Sequence, residues 1–176
     1  MIKFSETIES VIKPYQGLLG KDFVGYRNHL YRLVNLCDAI KTLTDTEFEK
    51  IAIASVFHDL AIWTDHTADY VGPSEQLAKN YLKSIDFPEW EEDVCKIIRE
   101  HHKVTACDPN LSLAEVFRRA DWIDVTLGFR TFGVPRKQIN WILREFPDAG
   151  FHPFLAQFIR SQAFKHPFNP LPMLKW

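Results

Sequence analysis

Phe48-Glu-Lys-Ile-Ala-Ile-Ala-Ser-Val-Phe-His-Asp59 is the stretch around which the rest of the chain is organised. Just before it, Thr44 is followed three residues on by Glu47, a capping-box pattern, so a helix is expected to start there. Phe48, Ile51, Ala54, Ser55 and His58 recur at three- and four-residue steps, the period of one buried helix face. His58 therefore falls on the core side, with Asp59 beside it at the C-terminal end. One neutral imidazole nitrogen and one anionic oxygen in a sheltered place suit a divalent cation. A lone inward histidine is more often a hydrogen-bonded core residue, so the rest of the chain must decide.

Upstream, Ser5 to about Tyr15 reads as a short amphipathic helix carrying Ile8, Val11 and Ile12, broken by Gly17 and Gly20. Asp22 is placed to cap a second helix to about Lys41, with Phe23, Tyr26, Leu30, Leu33, Val34, Cys37 and Ile40 inward and His29 on the same side. Downstream, Trp63 to Pro73 is polar, with Gly-Pro punctuation, and reads as a loop. Helices are expected from Ser74 to about Ile85 and from about Glu89 to His102, the latter with Trp90, Val94, Ile97, Ile98 and His101 at helical spacing. Ser112 and Glu115 make a second capping-box pattern, opening a helix to about Gly128. Its Leu113, Val116, Ala120, Ile123 and Leu127 form one apolar stripe, and Asp121 and Asp124 fall on the neighbouring stripe, one turn apart. Beyond Gly133-Val-Pro135, one helix reaches about Phe146 and another runs from about Pro153 to Lys165. The tail His166–Trp176, rich in proline, is expected to be extended, with Phe168, Leu171, Met173 and Trp176 packed along the surface. With no alternating strand pattern, repeat or low-complexity linker, the expectation is a single all-α domain over residues 1–176, a bundle of about seven to nine helices.

A chain of 176 residues can bury the core of one domain. A formal charge of −2 supplies no overall basic field, so no nucleic-acid polymer and no anionic membrane is expected as a partner. A small nucleotide needs only a local positive patch. Cys37, Cys95 and Cys107 are odd in number and lack a framework spacing, which points to free thiols and a reducing cytoplasm. The first ten residues contain no apolar signal-peptide core, and no apolar run is long enough to span a bilayer.

Four helices each place potential metal ligands on or beside the inward face: His29, the pair His58-Asp59, the pair His101-His102, and Asp121. Neighbouring helices of a bundle can aim such side chains at one point. The order His, His-Asp, His-His, Asp resembles the HD-domain superfamily of metal-dependent phosphohydrolases. Phe57-His58-Asp59 after an Ile/Ala helix and Arg119-Ala-Asp-Trp-Ile-Asp124 look like its second and last motifs. The resemblance covers residues 22–130 as a metal-binding core, leaving 131–176 as C-terminal helices and a Pro-rich tail packed on it. It implies His29, His58, Asp59 and Asp121 as ligands of a divalent ion, for which Mn, Fe, Ni, Zn and Mg all remain open. Such an ion acidifies bound water and polarises a phosphoryl oxygen. The expected reaction is hydrolysis of a small phosphoester, a nucleotide among the candidates, by a metal-activated water, with Asp59 serving catalysis as well as binding.

Departures from the family pattern shape the finer expectations. Members with two metals carry extra histidines, and His101-His102 occupies one such place. The other place reads Gly72-Pro73-Ser74-Glu75, leaving His66, Asp69 or Glu75 as substitutes. One metal is therefore favoured over two, with His101 and His102 gripping phosphate or standing behind the ligands. Nucleotidase-like members have an acid three positions after the Asp, where this chain has the apolar Leu60-Ala-Ile-Trp63. Asp65 and His66 in the following loop become the catalytic candidates for proton transfer. Arg27 and Lys103, close in sequence to ligands, are read as a phosphate rim, with Arg118 and Arg119 left open. Gly150-Phe-His-Pro153 reads as a cap and packing corner. A zinc site of Cys95, His101, His102 and Cys107 is a weaker rival, since its spacing matches no zinc finger. Two other functions stay in view: a dinuclear iron oxygenase or lyase of HD type, and a binding module without turnover. The expected partner is a small phosphorylated substrate, and a homo-oligomer is left open.

Overall fold

Every residue from Asn28 to Cys37 is buried in the computed structural model, which describes residues 2–165 and 173–174. These residues form the middle of α3 (Phe23–Ile40), the longest helix. An amphipathic helix buries one stripe only, whereas a helix buried all round must be wrapped by others. Around α3 stand α4 (Asp45–Phe57), α8 (Leu113–Val125), α9 (Arg136–Glu145) and α10 (Phe151–Lys165). Polar residues on so enclosed a helix need partners. Asn35 finds them near the N-terminus: its Oδ1 accepts the Lys3 backbone N–H at 2.8 Å, and its Nδ2 donates to the Lys3 and Tyr31 carbonyls at 3.0 and 2.8 Å. Asn28, His29 and Arg32 face the site described below.

The other α-helices are α1 (Glu6–Ile12), the single turns α2 (Gln16–Leu19) and α5 (Ala61–Thr64), α6 (Val71–Ser84) and α7 (Glu91–Glu100). Helix α1 packs on α4, while α6, α7 and α8 pack in succession beside it. The capping box that opens α4 is formed: Glu47 N–H donates to Thr44 Oγ1 at 3.2 Å and Thr44 N–H to Glu47 Oε2 at 3.0 Å. From Ile51 through Trp63 every residue is buried, each fully buried Ile, Val, Leu or Phe side chain contributing roughly 1.5–3 kcal/mol. That burial carries His58 and Asp59 into the interior at the end of α4. Helix α7 starts with Glu91, Glu92 and Asp93, acids that suit the positive end of its dipole, and delivers His101 to the core at its other end.

The fold is all-α, and among the described residues there is no strand. Several local expectations are corrected. Gly17 lies inside α2; the break comes at Gly20, whose φ of +52° suits a residue without Cβ. Asp22 precedes α3 but makes no cap bond, its carboxylate accepting the Trp63 indole N–H at 3.2 Å. Trp63 itself is buried in α5, and Val71–Pro73 are the first turn of α6, where the N–H that proline lacks has no helical partner to lose. Ser112 makes no cap bond either, and the Glu115 carboxylate that would complete the box is taken by Arg118, Arg119 and the Cys107 backbone N–H. Leu127 lies just past α8 and is 62% exposed. In the tail, Met173 is buried, while Phe168, Leu171 and Trp176 lie outside the described residues. No helix among those described is long and apolar enough to cross a membrane.

Candidate metal centre

Three histidines are held in one tautomer by acceptors that have no proton to give. His58 and His101, each at the C-terminal end of a helix, point Nδ1 at the carbonyl three residues back: Ser55 at 2.7 Å and Ile98 at 2.6 Å. His29 points Nδ1 at Asp124 Oδ2, 2.7 Å away. Each Nδ1 therefore carries the proton and each Nε2 a lone pair. Those lone pairs converge. His29 Nε2 and His58 Nε2 stand 3.2 Å apart, too close for two acceptors to face each other without a cation between them.

The carboxylates complete the arrangement. Asp59 places Oδ2 3.3 Å from His58 Nε2, and Oδ1 3.4 and 3.8 Å from the Nε2 atoms of His101 and His102. Asp121 Oδ1 lies 3.8 Å from His29 Nε2. His29, His58 and Asp59 offer ligand atoms within 4.8 Å of one another, and so do Asp59, His101 and His102; Asp59 is common to both groups. Tyr70, buried at the start of α6, hydrogen-bonds His102 Nε2.

Burial and charge set the protonation. Burial pushes His29 down to about 4, against the pull of Asp124, so the ring is neutral near pH 7. Burial, with the like charges of Asp59 and Asp124, raises Asp121 to about 8, His101 offsetting part of the rise. Burial acts to raise Asp59 as well, and only a positive charge beside it, on His58 and His101 when they are protonated or on an ion, holds the carboxyl below its usual range. Asp124 is held low in the same way against burial, by the Arg32 guanidinium and by His29. Arg32 donates to Asp124 from Nε at 2.5 Å and from Nη2 at 2.9 Å, so that carboxylate is balanced. Among the described residues, neither Asp59 nor Asp121 pairs with a lysine or arginine.

These residues fit a divalent cation. Asp59 Oδ1 and His101 Nε2 are buried and have no hydrogen-bond partner, a costly state that a shared ion removes. Two nitrogens each about 2.1 Å from one ion stand about 3.2 Å apart at an angle of about 100°, the spacing found between His29 and His58. Imidazole and carboxylate suit Zn, Mn, Fe or Ni, and no cysteine joins the groups.

Of the four residues expected to bind the ion, His29, His58 and Asp59 are brought together, while Asp121 stands beside His29, its Oδ1 3.8 Å from Nε2, outside both ligand groups. His101 and His102, expected to grip phosphate or stand behind the ligands, gather with Asp59 in a second group of atoms that could hold an ion. Other expected residues are not brought in. Arg27 is bound to Glu9 at 2.9 and 3.0 Å, because a residue two before His29 lies on the far side of the helix. Lys103 pairs with Glu100 at 3.1 Å. Asp65 and His66 are exposed on the turn after α5, with Asp65 accepting the Thr64 hydroxyl. Glu75, a suggested substitute ligand, is bound by Arg99 at 2.7 and 3.1 Å. Arg118 and Arg119 are committed to Glu115. Asp124 and Arg32 are the functional residues that sequence reasoning missed as such. Their signal was present: a charge three residues after each of His29 and Asp121, on a face that must be buried.

A family model described as HD domain matches residues 26–126. No curated protein and no solved structure matches the chain. The matched segment contains His29, Arg32, His58, Asp59, His101, His102, Asp121 and Asp124, and ends before α9 and α10.

Proposed function

The chain belongs to the HD-domain family, and from that premise we propose that it is a metal-dependent phosphohydrolase acting on a small phosphoester, with a nucleotide as the leading candidate. One observation carries the reading: three Nε2 lone pairs and two unbalanced carboxylates converge in a buried place with no side-chain cation among the described residues to join them. His29, His58, Asp59 and Asp121 would hold one divalent ion, and Asp59, His101 and His102 a second. A bound ion supplies a Lewis acid for a phosphoryl oxygen and acidifies water at the site. Two such ions against the charges of Asp59 and Asp121 leave the centre positive, which suits a phosphate dianion where Arg27 and Lys103 are engaged elsewhere. The chain's own groups orient and insulate. Asp124 and the two helix-end carbonyls fix the imidazoles, the apolar Leu60–Trp63 segment keeps water from the back of the site, and Tyr70 presents a hydroxyl beside His102.

The test is metal content by plasma mass spectrometry on protein purified without chelator, then a phosphoester screen with the ions found. One or two equivalents of Mn, Ni, Zn or Fe, lost in Asp59→Ala along with metal-stimulated phosphatase activity, support the reading. A protein that takes up no added ion sinks it, and a binding module then leads. The grouping of His101 and His102 on Asp59 favours a second reading, a dinuclear iron oxygenase or lyase, which two irons and oxygen-dependent turnover would select.

A further inference from the structure

The turn from Phe146 to His152 lies beyond the family-matching segment, yet it is fastened to the metal centre from several sides. The Phe146 and Pro147 carbonyls accept from Arg32 Nη1 at 3.2 and 3.4 Å, and that of Pro147 also from Asn28 Nδ2 at 2.7 Å. The approach to α3 is close: a Cβ on Gly25 would stand 2.9 Å from the Ala149 carbonyl oxygen and 3.0 Å from the Phe151 nitrogen. Phe151, buried at the start of α10, lays its ring on the His29 imidazole, with centroids 4.1 Å apart and planes 15° apart. His152 reaches the backbone oxygen of Asp124 with Nε2 at 2.9 Å and is held by Asp148 at Nδ1.

We infer that Phe151 and His152 are positioning residues for the first ion, setting the plane of His29 and the end of α8 that carries Asp121 and Asp124. The inference rests on the reading of these residues as ion ligands. The bond from His29 Nδ1 to Asp124 aims the imidazole but leaves it free to rock about that axis. A flat ring against its face removes the rocking, so the lone pair of Nε2 keeps one direction. His152 does the same for α8 by tying a carbonyl in its last turn to α10. Outer partners of this kind tune metal affinity about 10–100-fold.

The experiment titrates Mn(II) and Co(II) into the metal-stripped full chain by calorimetry, with the cobalt visible spectrum as a second readout. The step abolished by Asp121→Asn identifies the first ion. In Phe151→Leu and His152→Ala, affinity for that ion falls about 10–100-fold and its cobalt band shifts, while the step belonging to Asp59, His101 and His102 changes less than about threefold. His152→Gln, whose amide can still donate to the Asp124 carbonyl, recovers most of the loss. If wild type binds ions and these variants bind them equally well, or weaken both steps alike, the inference fails while the metal reading stands. A wild type that binds no ion fails both. Should Phe151→Leu not fold, the His152→Ala and His152→Gln pair decides.

Discussion

Replacing Asp124 with asparagine keeps the shape of a fully buried side chain and removes its charge. Three hydrogen bonds converge on that carboxylate, two from Arg32 at 2.5 and 2.9 Å and one from His29 at 2.7 Å. Arg32 is 1% exposed, so in the variant its guanidinium stays buried without a counter-charge. Breaking one side of such a pair costs about 3–5 kcal/mol. With a urea slope of about 2 kcal/mol per M, the unfolding midpoint of the metal-free protein should fall by about 1.5–2.5 M at pH 7. The sign with pH follows from the folded-state shift. Asp124 is held below its unfolded value of 3.8, so its contribution is fully present above about pH 4 and is lost as pH falls through the folded value. The gap between wild type and Asp124→Asn should therefore narrow below pH 4, by up to about 1.4 kcal/mol for each pH unit. Urea unfolding followed by circular dichroism from pH 7 to pH 3 measures it. A gap under about 1 kcal/mol at pH 7, or one that stays constant down to pH 3, would refute the claim that this charge holds Arg32 and His29 in place.

Asp121→Asn should act with the opposite sign in metal-free protein. The folded-state value of Asp121 is raised to about 8, so the carboxyl favours the fold below 3.8 and that advantage is lost as pH rises through 8. Metal-free Asp121→Asn should exceed wild type by at least about 1 kcal/mol at pH 9 and lose the stabilisation that ions give. In wild type, ion affinity should climb with pH and level off above about pH 8, because Asp121 must shed its proton to bind; a calorimetric pH series checks this. Gly25→Ala forces a Cβ against backbone atoms and should cost about 1–3 kcal/mol in urea unfolding. Gly17→Ala, in α2 with no atom within 4 Å, should gain about 0.4–1 kcal/mol in the same assay. Removing an ion held at a hundred times its dissociation constant withdraws about 2.7 kcal/mol, a fall in Tm of about 5–10 °C by scanning calorimetry.

Much of the centre was legible because ligands at helix ends leave a periodic trace. His58 and His101 close apolar runs of helical spacing, and Asp121 lies one residue from such a stripe, so all three read as inward. What stayed hidden was pairing across helices. Arg32 and Asp124 are 92 residues apart, and no local rule joins them, although an arginine amid Leu30, Leu33 and Val34 signals a buried partner. Nearness in sequence misleads for Arg27, which two residues along α3 set more than half a turn from His29, and for Lys103, which lies past the end of α7 and turns to Glu100. Capping patterns divided in the same way. Thr44-Glu47 formed its box, whereas Glu115 was drawn off by two arginines and a loop amide that only the folded chain brings near.

The 95-residue separation of His29 and Asp124 has a kinetic consequence. The loop between them closes only when α3 and α8 dock, a late and entropically expensive event. In the denatured chain, only His58-Asp59 and His101-His102 are adjacent, and each offers an ion a weak grip. The ion therefore cannot template this fold as zinc templates a finger. During refolding, helical signal should return before tight ion uptake, and saturating ion should slow unfolding far more than it speeds folding.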